Sequence, residues 1–148
     1  LKVETIVRLC QENNFYYKTT GIWHKTNPLP RNMNLHFVNS TESWIYCILD
    51  KKTGKFNNKG NLIHDHYESS NISTKEKKLG SHPTQKPIEL MEHFVSLLTN
   101  KGNIVLDPFM GSGSTGVAAK NLDRKFIGIE LEKSYFDLAK NRINSINK

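Results

Sequence analysis

One stretch determines how this sequence of 148 residues is interpreted: Ile104-Val105-Leu106-Asp107-Pro108-Phe109-Met110-Gly111-Ser112-Gly113-Ser114-Thr115-Gly116. Its apolar start predicts a short buried strand, and the residues after the glycine turn predict a helix that runs through 117–120. A second strand is predicted at 126–129, and apolar residues at helical spacing between Tyr135 and Ile143 predict a final helix. Strand, helix, strand and helix at this spacing are typical of a βαβ unit on a parallel sheet.

Two carboxylates accompany the predicted strands. Glycines at the carboxyl end of a parallel strand allow a tight turn and close approach to a nucleotide-like ligand. Glu130 lies 23 residues after Asp107, near the spacing of about 20 at which an acid accepts hydrogen bonds from ribose hydroxyls. Asp107, directly before the turn, suits a ligand with an ammonium group and favours S-adenosylmethionine over NAD. A simple strand-to-helix turn is the open alternative, whereas a phosphate-binding Walker loop is excluded because no Gly-Lys-Ser/Thr ends the turn.

Upstream of this unit the pattern predicts a helix, several strands and a loop. Apolar residues within 3–10 recur at helical spacing, which predicts a helix that ends near 13–14. Strands are predicted at 15–17, 22–25 and 43–49, the last two as antiparallel neighbours. Apolar periodicity disappears over 51–86, which predicts a weakly structured insert. Pro87 then stands at the first turn of a helix that should end near 100–102.

Composition and charge limit the class of protein. The length predicts one domain over residues 1–148. Two cysteines without metal-ligand spacing argue against a disulfide or zinc scaffold. The sequence contains no long apolar run and no signal-peptide pattern, so we expect a cytoplasmic protein that does not enter a membrane. The net charge is +7, and the eight lysines and three acids of 51–86 contribute +5 of it, which favours a polyanionic partner.

Three motifs follow one another along the chain: His82-Pro83-Thr84-Gln85-Lys86-Pro87, the glycine turn with Asp107, and Phe126-Ile127-Gly128-Ile129-Glu130. Together they resemble the DNA amino-methyltransferases of restriction-modification systems. Their order resembles the subgroup called beta class, in which the catalytic motif precedes the cofactor motif. The resemblance extends over about 13–145 and includes the segments 22–28 and 40–49. It implies a Rossmann-like, S-adenosylmethionine-dependent methyltransferase fold, an α/β fold with a mixed, mostly parallel sheet.

The resemblance also implies a set of cofactor-binding residues. Asp107 would contact the methionine ammonium, Glu130 would hold the ribose, and Lys86 would lie near the methionine carboxylate, where a cation is physically sensible. The expected cofactor-binding residues are His82, Thr84, Lys86, Asp107, Pro108, Phe109, Met110, Gly111, Ser112, Gly113 and Glu130.

Members of this family transfer a methyl group to the exocyclic amine of adenine or cytosine after the base has been flipped out of the duplex. The transfer uses an Asp/Asn/Ser-Pro-Pro-Tyr/Phe loop, which this sequence lacks; Asn27-Pro28-Leu29-Pro30 is only superficially similar. We therefore expect the C-terminal part of a longer methyltransferase, apparently truncated at the N-terminus, with unknown catalytic residues. The alternative is a non-catalytic fragment that binds cofactor and DNA.

The basic segment 51–80 occupies the place where this family has its target-recognition element. We expect its lysines to contact phosphates of double-stranded DNA, although a merely solvated basic loop stays open as an alternative. The candidate DNA-binding residues are Lys51, Lys52, Lys55, Lys59, Lys75, Lys77 and Lys78. His64-Asp65-His66 lacks a nearby third ligand, so we expect no metal.

Three aromatic residues on the predicted strands are candidates for stacking on a flipped base. Trp23, Trp44 and Tyr46 have the required rings, but core packing is favoured for Trp44 and Tyr46. The sequence leaves open whether the chain forms a homodimer and whether a cognate restriction endonuclease acts separately beside it.

Overall fold

The structure, a computed structural model, describes residues 3–29, 35–49, 56–78, 80 and 82–146. The chain divides into two compact units, one of Leu1–Lys55 with Gly60–Ser70 and the other of Phe56–Lys59 with Asn71–Lys148. The single domain expected from the sequence stays a prediction. None of the helices among the described residues has the length and apolar character needed to cross a membrane.

The first unit is a three-stranded mixed sheet with one helix. Helix α1 (Val3–Glu12) leads into β1 (Phe15–Lys25), which pairs antiparallel with β2 (Thr41–Leu49) and parallel with β3 (His66–Ser69). The antiparallel prediction is confirmed. The two short strands predicted at 15–17 and 22–25 form one strand. A register irregularity between Tyr17 and Thr19 interrupts the apolar pattern, but the pairing with β2 continues past it.

Two elements lie within the insert that was predicted to be weakly structured. Strand β3 and a 3-10 turn at Lys75–Lys77 lie in it, so part of the segment predicted to be a loop or weakly structured insert has regular structure. Main-chain pairing with β1 holds the polar strand β3, and the buried Trp23 donates a hydrogen bond from Nε1 to Ser69 Oγ at 2.9 Å. Trp23 is 3% exposed and therefore belongs to the core. Trp44 and Tyr46 are half-buried.

The second unit contains the predicted βαβ arrangement. Its elements are α2 (Ile88–Leu98), β4 (Ile104–Asp107), α3 (Ser114–Asn121), β5 (Lys125–Gly128) and α4 (Lys133–Asn144). Strands β4 and β5 are parallel, as predicted, with Leu106 opposite Ile127. Helix α2 begins where Ile88 N–H donates to Glu76 Oε2 at 3.0 Å, so a residue of the insert satisfies a backbone donor at the helix start. The core of this unit comes mainly from α2 and α3: Leu90, Val95, Leu97, Val117, Ala118 and Ala119.

Candidate functional site

The glycine turn connects the carboxyl end of β4 to the start of α3. Its backbone is attached to the segment after β5, because Met110 N–H donates to Ile129 O at 3.0 Å and Ile129 N–H donates to Asp107 O at 2.9 Å. Gly113 has φ +78°, the left-handed conformation that glycine adopts without strain, and the helix begins at the next residue. The turn therefore presents the N-terminus of α3 at the edge of the parallel strands, where ligands bind in open α/β sheets.

A cavity of about 200 Å³ lies at this turn. Most of the predicted cofactor residues line it: His82, Thr84, Lys86, Asp107, Phe109, Met110, Gly111 and Ser112. Pro108, Gly113 and Glu130 are not part of its lining. The structure thus brings the segment before α2 and the glycine turn to one cavity.

Asp107 presents a carboxylate to this cavity. Its Oδ1 accepts a hydrogen bond from Phe109 N–H at 3.1 Å, which fixes the side chain across the first residues of the turn. Among the described residues Oδ2 has no hydrogen-bond partner. A half-buried carboxylate with one open oxygen can accept a hydrogen bond from a cationic ligand.

Glu130 connects the glycine turn to the segment after β5 through hydrogen bonds. Its Oε2 accepts from Gly111 N–H at 2.9 Å and its Oε1 accepts from Glu132 N–H at 3.0 Å. The hydrogen bond from Glu132 N–H, followed by those from Gly111 and Leu131, lowers the pKa of Glu130, so the carboxylate stays ionised at neutral pH. A carboxylate has about four acceptor sites, so the Glu130 carboxylate can still accept a hydrogen bond from a ligand hydroxyl. The predicted ribose contact stays a prediction, and the link to Gly111 is a role that sequence reasoning missed.

The segment before α2 closes the cavity from the other side. His82 Nδ1 accepts from Thr84 N–H at 3.2 Å and lies 3.1 Å from Thr84 Oγ1. The His82 ring packs edge-on against Tyr135, with ring centroids 4.2 Å apart. Ser114 Oγ donates to Lys86 O at 2.7 Å, which joins this segment to the first residue of α3.

Gln85 is a lining residue to which the sequence assigned no role. It is 7% exposed, and neither its Oε1 nor its Nε2 has a hydrogen-bond partner among the described residues. A buried amide without a partner costs about 1–3 kcal/mol. The residue lines the cavity, but both amide atoms are fully buried and are not exposed to it, a feature that only the folded structure reveals.

Two of the glycines serve packing within the unit. A Cβ atom on Gly113 would lie 2.9 Å from Ala139 Cβ, and one on Gly116 would lie 2.4 Å from Ile143 Cδ1. Close approach to a ligand was predicted for all three glycines, whereas only Gly111 lines the cavity. Gly113 and Gly116 allow α4 to pack against the turn instead.

A buried arginine supports the turn from behind. Arg142 is 4% exposed, and its Nη1 donates to Ser112 O at 2.6 Å. Burial lowers the pKa of its guanidinium. The sequence missed this residue because an arginine near the end of an amphipathic helix is expected to face solvent.

The structure describes four of the seven candidate DNA-binding lysines. Lys59, Lys75, Lys77 and Lys78 are exposed, which leaves their charges accessible to a polyanion. Lys51, Lys52 and Lys55 lie outside the described residues.

Among the described residues, one group of potential metal ligands lies on the first unit. His24, His66 and Glu68 have ligand atoms within 4.8 Å of one another, and the His24 Nδ1 to Glu68 Oε1 distance is 2.9 Å. His64 and Asp65, which the sequence singled out beside His66, do not belong to this group. The group is largely exposed and its contact is explained by the histidine–glutamate hydrogen bond, so the expectation of no metal stays a prediction.

The fold and the site define a Rossmann-like α/β protein with a ligand cavity at the carboxyl ends of its parallel strands. The chain belongs to the DNA methylase family, whose model matches residues 2–141. The resemblance noted in the sequence is therefore confirmed.

Individual relatives agree with this family. The chain is 39% identical over 147 residues to the type II methyltransferase M2.DpnII of Streptococcus pneumoniae, covering 93% of this chain and 55% of the relative. It is 41% identical over 143 residues to the type II methyltransferase M2.LlaDCHI of Lactococcus lactis subsp. cremoris, covering 90% and 53%. The chain thus spans about half the length of these curated relatives.

A solved structure supports the fold. The crystal structure of the M1.HpyAVI–SAM complex superposes with a TM-score of 0.85 at 43% identity, over 96% of this chain and 69% of that one. The predicted Rossmann-like methyltransferase fold is therefore confirmed.

Proposed function

We propose that this chain forms the cofactor-binding and DNA-contacting part of a site-specific DNA methyltransferase. The enzyme would transfer a methyl group from S-adenosylmethionine to the exocyclic amine of adenine, or of cytosine, in duplex DNA. The observation that carries the proposal is the cavity at the glycine turn, where Asp107 offers an open carboxylate oxygen to a cationic ligand. Family membership and the bound cofactor named for the M1.HpyAVI complex support it.

The residues of the cavity fit the chemistry of this cofactor. Asp107 would accept hydrogen bonds from the methionine ammonium, and Lys86 would lie near its carboxylate. Glu130, held ionised by backbone N–H groups, would accept from the ribose hydroxyls.

The cofactor supplies an electrophilic methyl group on a sulfonium, and a displacement reaction needs the amine lone pair in line with that methyl. This chain's contribution is to hold the methyl donor at a fixed place beside the glycine turn. The exposed lysines 59, 75, 77 and 78 would contact DNA phosphates without reading sequence. The catalytic residues stay unassigned, since the sequence has no Asp/Asn/Ser-Pro-Pro-Tyr/Phe loop.

A methylation assay tests the proposal. The complete reading frame is expressed and incubated with tritiated S-adenosylmethionine and duplex DNA as the sole acceptor. We expect label in DNA, and digestion with mass spectrometry should identify N6-methyladenine, or N4-methylcytosine if cytosine is the target. Label in RNA or protein, with none in DNA, would contradict the proposed substrate.

The missing loop favours one second candidate, a non-catalytic module that binds cofactor and DNA. It is distinguished by saturable S-adenosylmethionine binding without methyl transfer from the complete reading frame. We also propose action in the cytoplasm on double-stranded DNA, with a cognate restriction endonuclease acting separately. Sedimentation of the complete product would decide whether it forms a homodimer.

A further inference from the structure

Two neighbouring strands of the first unit, β1 and β3, carry three side chains that can bind a metal ion. His24 of β1 lies beside Glu68 of β3 in the parallel register, and His66 precedes Glu68 by two residues. Residues that are side by side in a sheet, or two apart along one strand, point to the same side. The buried Trp23 points to the other side, so these three side chains project from the face opposite the core. We call His24, His66 and Glu68 the ligand group.

The separations within the ligand group fit one tetrahedral ion. Ligand atoms that are bonded to zinc at about 2.0–2.2 Å in tetrahedral geometry lie about 3.4 Å from one another. His66 Nε2 lies 3.4 Å from Glu68 Oε1, and the three ligand atoms all lie within 4.8 Å of one another. His24 Nδ1 lies 2.9 Å from the same oxygen, so the Glu68 side chain must shift by about 0.5 Å to bind an ion. It is 53% exposed and therefore free to make this shift.

The hydrogen bond between His24 and Glu68 explains only part of this arrangement. An N–H···O hydrogen bond is about 2.7–3.2 Å long, which includes the His24 Nδ1 to Glu68 Oε1 distance of 2.9 Å. The distance of 3.4 Å from His66 Nε2 to the same oxygen is longer than this range. The two imidazole rings are stacked, with centroids 6.5 Å apart. Two imidazoles thus converge on one carboxylate oxygen, an arrangement that a bound cation would stabilise.

The chemistry of the ligand group selects the kind of ion. Two imidazole nitrogens and one carboxylate oxygen suit zinc, whereas Ca²⁺ and Mg²⁺ prefer sites made of oxygen ligands. Three protein ligands leave the fourth tetrahedral position to water. Lys25, which follows His24 along β1, does not compete for Glu68, because its Nζ is paired with Glu42 Oε1 at 2.7 Å.

We propose that His24, His66 and Glu68 bind one zinc ion, with water as the fourth ligand. The expectation of no metal was based on residues 64–66 alone, whereas the pairing of β3 with β1 brings His24 to His66 and Glu68. Strand β3 lies within the basic segment 51–80, so the ion would join this candidate DNA-contacting segment to β1. The inference goes beyond the proposed function and does not depend on it, because the cofactor cavity belongs to the second unit.

Zinc titration tests the site. The full chain, without an affinity tag and freed of metal with EDTA, is titrated with zinc chloride in a calorimeter. We expect saturable binding of one zinc ion per chain and no comparable binding of Mg²⁺, which prefers oxygen ligands. Absence of saturable zinc binding, or equal affinity for Mg²⁺, would overturn the inference.

Variants locate the ion. His66→Gln and Glu68→Gln each remove a ligand, and Glu68→Gln keeps a hydrogen-bond acceptor. Changes to outer-shell partners alone cost about 10–100-fold in metal affinity, so each variant should bind zinc at least about tenfold more weakly. His64→Gln is the matched control, because His64 is exposed, lies two residues from His66 and is outside the ligand group. Equal zinc affinity of His66→Gln and His64→Gln would overturn the site.

Thermal unfolding separates loss of the ion from loss of folding. An ion that binds the folded chain raises the midpoint of unfolding. We expect this rise for the parent and for His64→Gln, and its absence for His66→Gln and Glu68→Gln. Without zinc, the midpoints of these two variants should stay near that of the parent, because both side chains are about half exposed. A rise of the same size in all four proteins would overturn the inference.

Discussion

Replacement of Gln85 by leucine should make the free protein more stable and leave its cofactor affinity unchanged. The side chain is 7% exposed and both of its polar atoms lack partners among the described residues. Leucine has a similar volume, so the substitution removes the unpaired amide without opening a cavity. A buried unpaired polar group costs about 1–3 kcal/mol, of which we expect roughly 1–2 kcal/mol to be recovered in the free protein.

Stability and cofactor affinity are measured separately. Thermal unfolding should shift upward by about 4–8 °C for each kcal/mol gained, if the second unit unfolds as one transition. Affinity for S-adenosylmethionine, measured by calorimetry, should be unchanged because the amide atoms of Gln85 are not exposed to the cavity. Gln11→Leu is the control, since Gln11 lies on the exposed surface of α1 in the first unit.

The pair of measurements can refute the reasoning. A variant with lower stability would mean that the Gln85 amide has partners within the folded protein. A variant with weaker cofactor binding would mean that the ligand reaches the amide. Only the combination of higher stability and unchanged binding supports a buried amide without partners.

Three further predictions concern the turn and its supports. Gly113→Ala should destabilise the chain by about 1–3 kcal/mol in denaturant unfolding, more than Gly102→Ala, because both glycines have positive φ but only Gly113 has a close neighbour at its Cβ position. The pKa of Glu130 is lowered, so its carboxylate stabilises the fold above its ordinary pKa of 4.5, and this stabilisation is lost as pH falls through the lowered value. Glu130→Gln should therefore make the free energy of unfolding depend less on pH in that acidic range. Arg142→Ala should cost about 2–4 kcal/mol, measured in the same way, because Ser112 O loses its donor and a buried stem is removed.

Each of these predictions has an outcome that contradicts it. Equal costs for alanine at Gly113 and Gly102 would show that α4 does not pack against the turn. An unchanged acid profile in Glu130→Gln would show that the backbone hydrogen bonds to this carboxylate add nothing to stability. A stability loss below 1 kcal/mol in Arg142→Ala would show that another donor or water replaces the guanidinium.

The βαβ unit could be predicted from the sequence because its signals are local. Apolar strands of four residues, a glycine turn and a periodic helix each stand in a short window, and the structure has all three within a few residues of the expected bounds. The antiparallel neighbours β1 and β2 followed from their β-branched and aromatic composition. Most of the predicted cofactor residues meet at one cavity because the motifs on which they were based stand in neighbouring elements.

The features that could not be predicted depend on contacts between residues that are far apart in the sequence. Strand β3 has the polar sequence His66–Ser69 and is held by its pairing with β1, for which no short window contains a signal. The same reason applies to Glu76, which satisfies the start of α2, and to Arg142, whose burial depends on packing of α4 against the turn. The unpartnered amide of Gln85 is likewise a property of the folded cavity, since a glutamine in a polar segment is usually solvated.

Titration of the chain with S-adenosylmethionine tests the central claim most directly. The parent chain and Asp107→Asn are compared by calorimetry, with Asp137→Asn as a control that removes an exposed carboxylate bonded to Lys133 in the same unit. We predict saturable one-to-one binding to the parent and the control, and binding at least about tenfold weaker to Asp107→Asn, since a charge-assisted hydrogen bond to the ammonium is lost. Undiminished affinity of Asp107→Asn, or no binding to the parent chain, would contradict the assignment of the glycine turn as the cofactor site.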